Sequence, residues 1–141
     1  MGATDPRRVI IADAQFGAGA TGSAPATWFW ALSTTVPAND GTGFTEPVGG
    51  SYARLSRTNN STNFPAATTV GGLTNKTNGV AFTFANPTGL WGLIMYWGCF
   101  TASSGGTVQY WNPLTSNETR YVQSGNTPVE FPANTLILPW A

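Results

Sequence analysis

Ten consecutive uncharged residues, Trp91-Gly92-Leu93-Ile94-Met95-Tyr96-Trp97-Gly98-Cys99-Phe100, constrain this chain more than any other stretch. The run is too short to cross a bilayer as a helix, which takes about 20 apolar residues. Its length, aromatic content and flanking turn residues favour a strand. At a period of two, Trp91, Leu93, Met95, Trp97 and Cys99 share one face. Gly92, Ile94, Tyr96, Gly98 and Phe100 share the other. Both faces are apolar, which is expected of a central strand covered on both sides.

Shorter runs of the same kind flank it. Residues 27–34 place Trp28, Trp30 and Leu32 on one face, and residues 80–84 turn Val80, Phe82 and Phe84 inward. Residues 52–58 alternate Tyr52, Arg54 and Ser56 against Ala53, Leu55 and Arg57. Neither of those faces is purely apolar, so this is an edge or interface strand. Further strands are expected at 107–111, 119–122, 128–131 and 135–138. Turn residues punctuate them: Asn39-Asp40-Gly41-Thr42-Gly43, Asn86-Pro87-Thr88-Gly89, Ser103-Ser104-Gly105-Gly106 and Ser124-Gly125-Asn126. Residues 59–65 read as a polar loop ending in Phe64-Pro65. Short strands separated by such turns, with no helix in the body, predict an all-β single domain, a β-sandwich or jelly-roll-like fold, over residues 26–141. Residues 1–25 predict an extended or short-helical N-terminal arm followed by a flexible linker at 17–24. Val9, Ile10, Ile11 and Phe16 are costly to leave in water, so the arm is expected to dock on a neighbour.

The surface left to such a domain is unusual. Charged residues make up 9% of the chain, six basic and six acidic, and Thr, Asn, Ser and Gly supply most of its polarity. A nearly uncharged surface protects poorly against association and suits a protein bound into a large assembly. Nucleic acid is excluded as a main partner, because phosphate binding needs a basic stripe and the six cations are scattered. No segment reads as a membrane span or signal peptide, so the chain is expected to be made and assembled in the cytoplasm. The lone Cys99 sits in the most apolar run and reads as a small buried hydrophobe.

Little points to catalysis. With no histidine there is no Ser–His or Cys–His pair and no His-based zinc site. Asp40 and Glu46 share a loop and formally allow a carboxylate pair or a calcium site, but turn chemistry accounts for them. No catalytic, cofactor-binding or metal-binding residue is predicted. Trp28, Trp30, Trp91 and Trp97 fall in core strands, whereas Trp111 and Trp140 fall where an interface would use them. Aromatic residues with arginine mark protein–protein interfaces, which adds Tyr52, Arg54 and Arg57 to the body's candidate assembly residues.

A linked series of motifs carries a resemblance. Leu32-Ser33-Thr34-Thr35-Val36-Pro37 is followed by Asn39-Asp40-Gly41-Thr42-Gly43, Thr45-Glu46-Pro47 and Gly49-Gly50-Ser51-Tyr52-Ala53-Arg54. The series ends in Thr58-Asn59-Asn60-Ser61-Thr62-Asn63-Phe64-Pro65-Ala66-Ala67, with Ser124-Gly125-Asn126-Thr127-Pro128 near the end of the chain. Over about residues 26–138 the chain resembles small virion proteins of tailed bacteriophages, commonly labelled phage tail fibre proteins. The resemblance implies a non-enzymatic structural protein of the virion, with no catalytic residue to carry over. Its size and anchor-like arm suit a capsid decoration or cement protein on the outer head surface. The expected partners are further copies of itself, a trimer being the natural form, and the major capsid protein or tail proteins. A tail fibre or minor tail role is the alternative. Host-glycan binding would need exposed aromatics beside Asn and Asp in the loops at 39–50 or 59–65.

Overall fold

A computed structural model of the chain describes residues 2–16, 24–116 and 118–140, the side chains of residues 14, 15, 139 and 140 excepted. Strand β1 (Gly2–Ala3) precedes helix α1 (Asp5–Gln15), and eleven further strands follow. Strand β2 (Thr27–Ser33) forms the middle of the fold. It is flanked by β3 (Leu55–Thr58) on one side and β8 (Tyr96–Phe100) on the other, and β9 (Tyr110–Pro113) and β1 complete a five-stranded sheet in the order β1-β9-β8-β2-β3. Strand β5 (Leu73–Thr77) lies between β4 (Thr68–Val70) and β12 (Ile137–Trp140) in a three-stranded sheet. Two small ladders join β7 (Gly92–Ile94) to β10 (Arg120–Val122) and β6 (Phe82–Thr83) to β11 (Glu130–Phe131). All these pairings are antiparallel. The chain is an all-β single domain, with one short helix among the described residues. No described helix is long and apolar enough to cross a membrane.

Both faces of the five-stranded sheet are covered. On one, Trp28, Trp30 and Leu32 of β2 meet Trp97 and Cys99 of β8 and Phe64, Phe82, Phe84 and Phe131 from outside the sheet. Burying each such side chain stabilises the fold by roughly 1.5–3 kcal/mol. On the other face Ala31, Phe100, Val108 and Trp111 form a second cluster with Phe29, Phe44 and Tyr96. Gly98 is required there, because a Cβ would collide with the Phe44 ring and a Val108 methyl. Loops are locked in by a buried amide. Asn78 Nδ2 donates to the carbonyls of Val80 (2.9 Å), Phe131 (3.2 Å) and Pro132 (2.9 Å), and its Oδ1 accepts the Leu136 N–H (2.9 Å).

Four features differ from the sequence reading. The apolar run at 91–100 is two strands in two sheets, parted at Met95. Met95 leaves the ladder: its N–H donates to Ser33 O at 3.1 Å, and its carbonyl accepts the Leu114 N–H at 2.8 Å. The alternation slips there, so Ile94 joins Trp97 in the main core while Leu93 is 45% exposed. Residues 68–77 form a hairpin, β4–β5, turning through Gly71 and Gly72, both at positive φ (59° and 80°). Residues 52–58 form a strand only over Leu55–Thr58, at the sheet edge, because Gly49, Gly50 and Ser51 at positive φ fold the preceding segment back. Finally, the first residues are not a free arm. Gly2 and Ala3 pair with Trp111 and Tyr110, Thr4 Oγ1 donates to Val108 O (3.0 Å), and Ile11 packs on the main core. Pro6 near the helix start and Asp5 in its first turn favour α1. The linker expected at 17–24 lies outside the described residues except for Ala24.

Candidate functional site

The residues singled out for assembly occupy distinct environments. Tyr52 turns inward with its ring edge-on to Trp91 at 5.2 Å. Its hydroxyl donates to Glu46 Oε1 (2.9 Å) and accepts the Leu32 N–H (2.9 Å). Burial, reinforced by the Glu46 carboxylate, pushes the phenol well above its ordinary range. Arg54 grips the same carboxylate, Nε to Oε1 at 3.0 Å and Nη2 to Oε2 at 2.7 Å. Its Nη1 donates to the carbonyls of Ala102 (2.8 Å) and Gly105 (2.9 Å), and its Cζ stands 3.5 Å from the Phe100 ring centroid. The Arg54 side chain is only 4% exposed. This cluster is a clamp holding the 46–54 and 101–107 loops against the five-stranded sheet, with its hydrogen bonds already made.

Arg57 also faces inward, its Cζ 4.9 Å from the Phe82 ring centroid and its Nη2 donating to Ala81 O at 3.3 Å. Desolvation lowers its pKa. Trp111 is buried against Tyr96, ring centroids 5.9 Å apart. Trp140 is placed only by its backbone, which pairs with Thr74, and its side chain lies outside those described. In α1, Ile10 is half-buried and Ile11 packs inward, whereas Val9 is 59% exposed and Phe16, which caps the helix C-terminus, is 85% exposed.

Other apolar side chains reach solvent, unmarked by the sequence pattern. Leu93 and Tyr121 are cross-strand partners in the β7–β10 ladder, both exposed, and Leu90 is exposed just before β7. Val70 and Leu73 bracket the tip of the β4–β5 hairpin. The acidic loop residues are engaged separately. Asp40 Oδ1 accepts the Thr42 hydroxyl (2.7 Å) and N–H (3.0 Å), which hold its carboxyl below the usual value, while Glu46 is taken by Arg54. Among the described residues no group of three metal-ligating side chains occurs.

A cleft of about 210 Å³ opens against the main core beside α1 and β5. Trp28, Trp30, Phe64 and Tyr110 wall it, and Arg7, Lys76 and Asn59 supply its polar groups. Arg7 reaches it because β1 and α1 pack on β9, bringing Arg7 Nε within 3.1 Å of the Tyr110 hydroxyl oxygen. The guanidinium stands 5.3 Å from the Trp28 ring centroid and 5.7 Å from that of Tyr110. Burial pushes the Tyr110 phenol up, and the Arg7 charge opposes that shift. The loop signal at Asn59 and Phe64 was visible in the sequence. The contribution of Arg7 was not, since only the docking of residues 2–11 brings it here.

Comparison with known families places these features in context. A family model described as podophage GP4 fiber I protein gp80 matches residues 8–139. No curated protein matches the chain. With nearly the whole domain inside the match, the chain belongs to this family of podophage fibre proteins, a family of virion structural proteins.

Proposed function

We propose that the protein is a non-enzymatic structural component of a bacteriophage tail fibre. The observation that carries this reading is the match of residues 8–139 to a podophage fiber I family. The placement of residues 2–11 supports it over capsid cementing. A cement protein anchored by its arm needs that arm free, whereas here Gly2, Ala3, Thr4, Arg7 and Ile11 are committed to the chain's own body. Exposed apolar side chains available for contacts with further copies or with other tail proteins include Val9 on α1, Phe16 just past its end, the pair Leu93–Tyr121 and the hairpin-tip residues Val70 and Leu73. Low surface charge suits such packing.

Immunogold labelling of purified particles, with copy number measured by quantitative mass spectrometry, tests the reading. Label confined to the tail, at a small fraction of the copies of the major capsid protein, is the expected result. Label spread over the head at a ratio comparable to the major capsid protein would restore the cementing role and remove this one.

A further inference from the structure

Two arginines of this chain are buried, and they are treated differently. Arg54 has a carboxylate and two carbonyls for its donors. Arg7 is 8% exposed, yet the described residues give it one hydrogen bond, from Nε to the Tyr110 hydroxyl. The ion pairs among the described residues are Arg8–Asp5 and Arg54–Glu46, so no carboxylate answers Arg7. Guanidinium carries five N–H donors and cannot shed its charge. Burying it without an anion is expensive, and the neighbouring Trp28 and Tyr110 rings offset only part of that cost. Lys76, from β5, lines the same cleft and likewise has no carboxylate partner among the described residues. Two of the chain's six cations therefore line one aromatic-walled cleft, with no Asp or Glu among the described lining residues.

We propose that this cleft binds a ring-bearing carboxylate. The carboxylate pairs with Arg7 and Lys76, and the ring lies against the walls formed by Trp28, Trp30 and Phe64. The dimensions fit: a dry cavity of about 150 Å³ accepts benzene, so about 210 Å³ takes one six-membered ring with a carboxylate attached. Arginine suits the role because its planar fork matches a carboxylate. Aromatic walls accept the face of a sugar ring or of an aromatic acid, so the shared chemistry is a single ring with one carboxylate. The inference stands on the cleft alone and does not depend on where in the virion the protein sits.

The test titrates the full chain at fixed ionic strength with sodium glucuronate and with sodium benzoate, reading tryptophan fluorescence and Tm. Glucose and benzyl alcohol serve as neutral counterparts, and sodium chloride as the anion control. At least one carboxylate is expected to shift both signals saturably where its neutral counterpart and chloride do not. Glucuronate alone would identify a sugar-acid site and benzoate alone an aromatic-acid site. Lys76→Met, which keeps the length of a partly buried side chain and the backbone pairing of β5, is expected to weaken binding about ten-fold, and Arg7→Gln to abolish it. Should Arg7→Gln fail to fold, Lys76→Met decides. The proposal is overturned if neither carboxylate saturates, if the neutral ring binds as well as its acid, or if Lys76→Met binds with unchanged affinity.

Discussion

Asn78 shows how much one polar side chain can hold. Its amide serves Val80, Phe131, Pro132 and Leu136 from a fully buried position. Asn78→Ala leaves the Leu136 N–H without its acceptor and takes a donor from the carbonyls of Val80, Phe131 and Pro132, the last of which keeps Thr135, and an unsatisfied buried group costs about 1–3 kcal/mol. We expect a loss of roughly 3 kcal/mol or more, read as a lower urea midpoint with an unchanged slope. Tyr52→Phe is milder: it removes the acceptor for the Leu32 N–H and one donor to Glu46 while keeping the ring on Trp91. About 1–3 kcal/mol is expected from the orphaned N–H, and a midpoint equal to the parent's would show that water replaces the phenol. Composition alone misleads at this scale. Aromatic residues with arginine suit an interface and a buried clamp equally, and only the Glu46 carboxylate eight positions before Arg54 separates the two. For Arg7 the sequence carried no signal, because its partners Trp28 and Tyr110 are distant in the chain.

Among the elements, β2 was legible because Trp28, Trp30 and Leu32 alternate with smaller or outward residues across a full strand. The β4–β5 hairpin escaped notice because its strands are threonine-rich, β4 exposed and β5 only partly buried, although Val70-Gly71-Gly72-Leu73 carries the two-glycine turn signal. Strand β1 is two small residues with no hydrophobic pattern, visible only through its partner β9. The slip at Met95 was hidden because apolar residues on both faces make either register plausible. Strand β8 also yields a test of packing. Gly98→Ala drives a methyl into Phe44 and Val108, and overpacking of this kind costs about 1–3 kcal/mol. In a Phe44→Ala background the clash with the ring is gone and only the one with the Val108 methyl remains, so the double-mutant cycle should show a favourable coupling that relieves part of the loss in thermal unfolding. Additive losses would mean that the backbone of β8 moves instead of the ring.

For the whole molecule, burial of titratable groups sets an alkaline limit. Cys99, Tyr52 and Tyr110, with ordinary values of 9.0, 10.0 and 10.0, are all pushed up chiefly by desolvation. Folded chains therefore keep protons that unfolded chains release as pH rises. The stabilisation is fully present below about pH 9 and is lost progressively above it. Urea midpoints measured from neutral to strongly alkaline pH should fall in that window, and Tyr52→Phe should flatten part of the decline. A level profile would contradict the burial of these groups. The break at Met95 has a mechanical consequence as well. One continuous backbone passes from the β7–β10 ladder into the five-stranded sheet through a single residue, Met95, itself held by hydrogen bonds to Ser33 and Leu114. With no loop between them, neither sheet can shift far along the strand direction without drawing the other with it.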